Sequence, residues 1–149
     1  METVDIPQTQ TPDEMLHLLS EFRFELRRFL QFSEQAATAA GLQPQQHQLL
    51  LQVAGAPGRA STTIAYAAER LGIRHNSAVE LVDRCAREDL LIRAEDPNDR
   101  RRAILRLTRK GKRVLSRLSD DHARELTERA PRLVEALEQI RRHAAVEAR

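Results

Sequence analysis

The sequence contains one cysteine, no tryptophan and few aromatic residues, and it has no long apolar run. A single cysteine excludes an internal disulfide framework and a thiolate-rich zinc site. No segment approaches the roughly 18 consecutive apolar residues of a membrane-spanning helix. Glu2 and Asp5 stand where a secretory signal would carry positive charge. We therefore expect a soluble, cytoplasmic protein that does not enter a membrane.

The sequence also lacks the side-chain constellations of an enzyme. Its five histidines are scattered, and none has a second histidine or a cysteine at the spacing of metal ligands. It contains neither a glycine-rich phosphate loop nor a Ser-His-Asp pattern. We therefore expect no catalytic activity, no metal and no cofactor.

What the sequence does contain is aliphatic and charged. Leu, Ala, Ile and Val supply most of the apolar residues, and 31% of all residues are charged. This composition favours a helical protein over a β-sandwich. A chain of 149 residues is long enough to bury a sizeable core and suits one domain. We predict a mainly α-helical fold with a single domain over residues 1–149.

The charges are unevenly distributed along the chain. Between Arg70 and Arg113 there are 13 Lys or Arg and 7 Asp or Glu, whereas the rest of the chain has 11 basic and 15 acidic residues. A basic middle between acidic ends indicates one face suited to a polyanion.

Two short apolar runs flank a turn within this basic middle. Leu90–Ile92 and Ala103–Leu107 are typical of strands, and Asp96–Asp99 has the proline, asparagine and aspartates of a tight turn. The pattern predicts a two-stranded β-hairpin that carries Arg100, Arg101 and Arg102 at its tip. Three exposed arginines suit a polyanion such as DNA, although a solvated charged loop would have the same composition.

Three short helical segments precede the hairpin. We predict them from Pro44 to Gly55, from Ile64 to Leu71 and from His75 to Glu88. Gly72 ends the second segment and provides a glycine-containing turn before the third. The order of helix, helix, turn, helix and hairpin is that of a winged helix-turn-helix, here over residues 44–108.

Long helical segments flank this unit, at residues 12–40 and 109–149. Thr11 and Pro12 predict the start of the first. The C-terminal segment is predicted as two helices, one from Thr108 as its N-cap to about Arg129 and one opened by Pro131. Their apolar stripes are broader than so small a core requires, so we assign both segments to dimerisation. The expected interface residues are Leu16, Leu19, Phe22, Leu133, Leu137 and Ile140.

Four runs of the chain resemble the MarR family of bacterial transcriptional regulators. The runs are Leu71–Arg84, Leu90–Arg93, Asp96–Arg102 and Leu105–Gly111. Their signatures are Leu-Val-Asp-Arg, the Asp-x-x-Asp-Arg-Arg of the hairpin tip, and Leu-x-Leu-Thr-x-x-Gly. The flanking helices fit the family's layout as well, so the resemblance extends over nearly the whole chain.

The resemblance implies a homodimer on a pseudo-palindromic operator in double-stranded DNA, with recognition helices in the major grooves and wings in the flanking minor grooves. Arg101 matches the family's wing arginine that enters the minor groove, and Asp99 matches the acid that orients it. Arg100 and Arg102 are expected at phosphates, which position a protein without specifying sequence. The predicted function is a sequence-specific transcriptional regulator, most simply a repressor.

The recognition helix begins with four polar residues. Side chains of this kind hydrogen-bond base edges or phosphates, and a helix N-terminus itself favours a phosphate. These residues are Arg74, His75, Asn76 and Ser77. As an alternative, Asn76 and Ser77 could act as helix caps. Arg84 is a candidate for the DNA backbone, or for an ion pair with Asp83, Glu80 or Glu88.

Two residues depart from the family's pattern. Glu80 stands where many members carry an arginine or another polar residue that faces the groove. A carboxylate there either accepts a hydrogen bond from cytosine or faces away from DNA. Cys85 stands where leucine is usual, and we interpret it as a small buried hydrophobe rather than as a thiol sensor.

Family members commonly release DNA when they bind a small aromatic or anionic molecule between the dimerisation helices and the winged unit. By position, Phe22, Arg23, Phe29 and His47 are the candidates for such an effector pocket, although each also fits an ordinary core or surface position. The alternative function is a helical architectural or interaction protein that binds DNA without sequence preference. The hairpin and the polar start of the recognition helix argue against it, because a purely electrostatic binder needs neither.

Overall fold

The structure, a computed structural model, describes residues 13–58 and 62–149. It is mainly helical and has one two-stranded antiparallel sheet, which confirms the predicted fold class. In chain order the elements are α1 (Glu14–Ala39), α2 (Pro44–Ala54), α3 (Ile64–Leu71), α4 (His75–Arg87), β1 (Leu91–Glu95), β2 (Ala103–Leu107) and α5 (Arg109–Glu147).

Asp13 caps the start of α1. Its Oδ1 accepts a hydrogen bond from the backbone N–H of Met15 at 3.0 Å, which satisfies one of the free donors at a helix start. The predicted cap, Thr11 followed by Pro12, lies outside the described residues. At the other end Gly41 has φ of +82°, a left-handed conformation that favours glycine and ends a helix.

The C-terminal segment is one continuous helix, so the predicted break at Pro131 is wrong. Proline removes one backbone hydrogen bond from a helix interior, at a cost of about 3 kcal/mol. Arg129 and Arg132, on either side of the proline, lie 3.9 and 3.8 Å from the two carboxylate oxygens of Glu25 in α1.

The chain divides into two compact units. The first, which we call the winged unit, comprises residues 33–123 and contains a well-formed core. Helices α2, α3 and α4, the base of the hairpin and the start of α5 all contribute to it. The side chains that are essentially inaccessible to solvent include Leu49, Leu50, Ala67, Leu81, Val82, Cys85, Leu90, Leu91, Leu105 and Leu118.

The second unit, which we call the arm unit, comprises residues 13–32 and 124–149 of the described chain. It consists of the first part of α1 and the second part of α5. Few of its apolar side chains are buried, Leu18 and Ala136 among them. None of the described helices is both long enough and apolar enough to cross a membrane.

A tightly bonded corner joins α4, β1 and α5 within the winged unit. Asp89 adopts φ of +57° between α4 and β1. Thr108 donates a hydrogen bond from its hydroxyl to the carbonyl oxygen of Asp89 at 2.6 Å and accepts one from the N–H of Gly111 at 3.0 Å. Thr108 is therefore the N-cap of α5, as predicted.

Gly111 completes this corner. A Cβ atom at Gly111 would lie 2.0 Å from the carbonyl oxygen of Leu90, so only glycine allows the two backbones to approach this closely. The Leu-Thr-x-x-Gly run of the sequence thus fixes where α5 begins relative to the end of α4.

Candidate nucleic-acid interface

Helix α4 presents its polar first turn to solvent. Arg74 is the N-cap residue, with extended backbone angles and no capping hydrogen bond from its side chain. His75, Asn76 and Ser77 follow inside the helix, and all four residues are exposed. Since Asn76 and Ser77 lie inside the helix, neither is its N-cap. Their side chains are presented at a helix end whose N–H groups favour an anion.

The opposite face of α4 is anchored in the core. Ala78, Leu81, Val82 and Cys85 are buried there, at the three- and four-residue spacing of one helix face. Glu80 lies on the opposite, exposed side of the helix. The helix is therefore held by one face and offers its other face and its N-terminus to a partner.

Two glutamines at the start of α2 hold the second half of α4. Gln46 donates from Nε2 to Oε2 of Glu88 at 2.7 Å, and Arg84 donates from Nη1 to Oε1 of Gln43 at 2.9 Å. Arg84 thus contacts Gln43 rather than the carboxylates suggested by the sequence. These long-range contacts were missed in the sequence. The only signal for them was the Gln-x-x-Gln spacing around Pro44, which resembles a capping box.

An ion pair links the recognition helix to the wing. Arg93 of β1 donates from Nη2 to Oδ1 of Asp83 in α4, and both side chains are partly exposed. The sequence placed Asp83 beside Arg84 as a possible partner and did not reveal Arg93. The pair ties α4 to β1 ahead of the wing tip.

The wing tip is a loop of seven residues built on two aspartates. Asp96 is buried and accepts from the N–H of Asn98 at 2.9 Å, and Asp99 accepts from the N–H of Arg101 at 3.0 Å. Such side-chain turns are the reason why aspartate is common in tight loops. The predicted turn chemistry is therefore present, and Asp99 fixes the backbone of Arg101 through a hydrogen bond.

The three arginines of the loop are all exposed. Asp99 makes an ion pair with Arg102, with 3.7 Å between Oδ2 and Nε. The hairpin register places Glu95 opposite Ala103 and Leu91 opposite Leu107. Because β1 ends at Glu95 and β2 begins at Ala103, the three arginines lie in the loop that joins the two paired strands.

Residues 40–102, from the end of α1 to the wing tip, match the family model of the MarR family. This segment contains the recognition helix, its anchors and the arginine loop. Over this segment the chain matches the MarR family, in agreement with the resemblance seen in the sequence. It is a DNA-binding transcriptional regulator of the winged helix type.

One curated relative and two solved structures illustrate what this chain is similar to. A transcriptional regulatory protein for the hcr operon of Thauera aromatica is 29% identical over 130 residues, which are 83% of this chain and 76% of that protein. A MarR family protein from Bacillus stearothermophilus is 18% identical with a TM-score of 0.69, covering 90% of this chain and 95% of that one. A MepR variant from S. aureus bound to an oligodeoxyribonucleotide is 18% identical with a TM-score of 0.63, covering 87% and 94%.

Cys85 is buried in the core of the winged unit, on the face of α4 beside Gln46 of α2. Burial and, to a smaller extent, the carboxylate of Glu88 raise the pKa of the Cys85 thiol to about 11, against the opposing effects of Arg84 and Gln46. A thiol with such a pKa is protonated at neutral pH and is a poor nucleophile. The environment fits the interpretation of Cys85 as a small buried hydrophobe.

His47, predicted for an effector pocket, lies in the core of the winged unit. Its ring packs against His122 of α5, with 4.9 Å between the ring centroids. His122 donates from Nδ1 to the carbonyl oxygen of Leu118 at 2.6 Å, and its Nε2 lies 2.8 Å from the hydroxyl of Ser33. Burial lowers the pKa of His47, and the neighbouring His122 lowers it further.

The other effector candidates lie in the arm unit. Phe22 and Phe29 are half-buried, and Arg23 is exposed. His122 and Ser33 were not singled out in the sequence as partners of His47, because they lie on separate helices with no sequence pattern in common. Among the described residues, no group of three His, Cys, Asp or Glu side chains could hold a metal ion.

Proposed function

We propose that this MarR family protein acts as a homodimer that binds a pseudo-palindromic operator and represses transcription by occupying it. One observation carries the proposal. The winged unit exposes both the polar turn Arg74–Ser77 at the start of α4 and the arginine loop Arg100–Arg102 at the wing tip. A helix start suits the major groove, and arginines on a narrow hairpin suit the minor groove.

Each side chain has a role that its chemistry supports. Arg74, Asn76 and Ser77 can bond base edges, because arginine matches guanine and asparagine matches adenine in the major groove. Arg101 is the residue we assign to the minor groove, with its backbone held by Asp99. Arg100 and Arg102 are assigned to phosphates, which contribute affinity that weakens with salt. His75 lies on the same turn and is assigned to the same kind of DNA contact. Arg84, farther along α4, is assigned to the DNA backbone.

The arm unit supports the proposed homodimer. Leu16, Leu19 and Leu137 expose 63%, 42% and 45% of their surface in the single chain. Several large apolar side chains exposed on two helices form an interaction surface rather than an ordinary exterior. Phe22, Leu133 and Ile140 are half-buried on the same helices. A second copy related by two-fold symmetry would bury each residue twice.

We also propose that a small aromatic or anionic effector releases the operator. A ligand shifts such an equilibrium only if it binds one separation of the recognition helices more tightly than the other. Phe22, Arg23, Phe29 and His47 remain the candidate contacts from their positions in the chain. The burial of His47 against His122 favours a structural role for that residue.

Selection from a pool of random duplex DNA tests the proposed operator. Binding is performed near 150 mM salt, where non-specific affinity is weak. An enriched inverted repeat with half-sites about one helical turn apart would support a dimeric, sequence-specific regulator. Binding that is lost with salt and enriches no sequence would overturn the proposal in favour of a non-specific architectural protein.

Arg101→Ala tests the wing assignment once the operator is known. We expect operator affinity to fall about tenfold or more, because each half-site loses a base or groove contact worth about 1–3 kcal/mol. Arg141→Ala, which removes an exposed arginine of the arm unit, is the matched control and should leave affinity unchanged. Both variants should remain dimeric in sedimentation. Full affinity of the Arg101 variant would show that the wing does not contact the operator.

A further inference from the structure

Helix α4 contains two carboxylates, Glu80 and Asp83, which differ in whether they have a partner. Asp83 makes an ion pair with Arg93 of β1. Glu80 is exposed, and within the described residues its side chain makes neither a hydrogen bond nor an ion pair. A free carboxylate is ordinary on the surface of most helices. On a helix assigned to a DNA groove it is unusual, because the phosphates repel a negative charge.

Glu80 lies on the side of α4 that faces away from the core. Successive residues of a helix are about 100° apart, so Glu80 and Asn76 point in the direction opposite to the buried face centred on Ala78. Asn76 precedes Glu80 by four residues, which places the two side chains one turn apart on the same face. Asn76 belongs to the polar turn that we assign to base edges. Glu80 therefore extends that surface by one turn.

The cation that could neutralise Glu80 is bonded to another helix. Arg84 follows Glu80 by four residues, and a glutamate with a basic residue four positions later is the favourable order for an ion pair on a helix. In the structure, Nη1 of Arg84 instead donates to Oε1 of Gln43 in α2 at 2.9 Å. Glu80 thus keeps an uncompensated charge on the exposed face of α4.

The chemistry of a carboxylate limits what Glu80 can contact in DNA. An ionised carboxylate accepts hydrogen bonds and donates none. Phosphate oxygens and the N7 and O6 atoms of guanine are acceptors too, so they offer it nothing. The donors in the major groove are the amino groups of cytosine and adenine, and in adenine the acceptor N7 lies beside the amino group. Cytosine is therefore the base that matches a glutamate best.

We propose that Glu80 reads one cytosine in each half-site of the operator, by accepting a hydrogen bond from the amino group of that base. Any other base at this position leaves the carboxylate desolvated without a donor, which penalises the wrong sequence. Glu80 therefore contributes to specificity more than to affinity. The inference rests on the proposed function, because it names a base of the operator which that function requires.

Parallel selections from random duplex DNA, near 150 mM salt as above, test the base preference. The wild type should enrich a cytosine at one position of each half-site. Glu80→Gln should enrich adenine at the same position and leave the other positions unchanged, because glutamine pairs with the N6 and N7 atoms of adenine. Glu128→Gln removes an exposed carboxylate from the arm unit. This matched control changes the net charge equally and should retain the cytosine.

An operator with N4-methylcytosine at the selected position tests the hydrogen bond itself. The methyl group replaces the amino hydrogen that points into the groove, and the base pair is retained. Wild-type affinity, measured by fluorescence anisotropy, should fall at least about fivefold. Glu80→Ala should bind the methylated and unmethylated operators equally. N4-methylation of a cytosine outside both half-sites is the control and should leave wild-type binding unchanged.

Each remaining outcome would count against a defined part of the argument. Identical base preferences of the wild type and Glu80→Gln would overturn this inference and leave the proposed operator in place. A uniform rise in affinity for every sequence in Glu80→Gln would also overturn it, because Glu80 would then only repel phosphates. If the wild type enriched no inverted repeat, the proposed function would fail and this inference with it. Circular dichroism verifies that each variant is folded.

Discussion

The winged unit and the arm unit differ in how far their apolar side chains are buried. The winged unit encloses a core in which Leu49, Leu50, Leu81 and Leu105 are almost inaccessible to solvent. The arm unit leaves Leu16, Phe24, Val134 and Val146 more than half exposed. A protein that needs only a single chain would bury more of the second set. The winged unit thus forms its core within one chain, whereas the exposed apolar side chains of the arm unit are those that the proposed homodimer would bury.

The largest expected effect comes from breaking the core of the winged unit. Leu49→Ala should lower the free energy of unfolding by about 2–5 kcal/mol, because it removes buried methyl groups and leaves a cavity. Leu51→Ala is the matched control on the same helix, since Leu51 is 40% exposed. Urea denaturation of both variants at one protein concentration gives the measurement. Equal destabilisation by the two would show that the core is not where the structure places it.

Breaking the arm unit should change assembly instead. Leu137→Glu puts a charge on the exposed surface of α5, which is harmless in a single chain and costly in a buried interface. We expect the Kd of the dimer to rise at least tenfold, measured by sedimentation over a range of concentrations. Leu51→Glu makes the same change on the exposed face of the winged unit and should leave the dimer intact. A dimer unaffected by Leu137→Glu would place the interface elsewhere.

The two units also differ in how far they follow from the sequence. The short helices of the winged unit begin and end at local signals such as Pro44 and Gly72, so their bounds were predicted closely. The Thr108 cap and the hairpin were predicted for the same reason. Helix α5 was predicted wrongly at Pro131, because the local rule that proline opens a helix takes no account of tertiary contacts such as those of Arg129 and Arg132 with Glu25.

Only part of the candidate DNA-binding site, likewise, could be predicted from the sequence. Its exposed residues at the start of α4 and at the wing tip could be identified from residue type and position. The contacts that hold them could not, because Gln43 with Arg84 and Asp83 with Arg93 join separate elements. Arg84 illustrates the point, since its neighbours in sequence offered three carboxylates and its actual partner is an amide from α2.

The core of the winged unit also contains a buried histidine, His47, so it is not wholly apolar. The pKa of His47 is lowered by burial and by His122. The unfolded chain therefore binds more protons than the folded one between the lowered pKa and the ordinary value of 6.5. The contribution of neutral His47 to the free energy of unfolding is therefore complete above about pH 6.5 and is lost as the pH decreases through this window.

The measurement is urea denaturation between pH 5 and 8. His47→Gln should reduce the loss of stability below pH 6.5, because glutamine does not titrate, whereas His17→Gln on the exposed surface of α1 should retain it. If the acid-sensitive loss persists in full without His47, another group is responsible.

The smallest expected effect concerns the ion pair between Asp83 and Arg93, which tests whether the winged unit is also rigid where it meets DNA. Both side chains are partly exposed, so the pair should contribute only about 0.2–1 kcal/mol to stability. We expect Asp83→Asn to weaken operator affinity about twofold to fivefold, because it frees β1 from α4 and allows the wing to move relative to the recognition helix.

The exchanged pair, Asp83→Arg combined with Arg93→Asp, separates this role from a direct one. If the pair acts by positioning, the exchange should restore most of the affinity and leave the salt dependence of binding unchanged. If Arg93 instead contacts a phosphate, the exchange would place an acid at that contact, affinity would fall further and the salt dependence would decrease. Recovery would thus show that the winged unit is complete within one chain at its DNA-facing end as well as in its core.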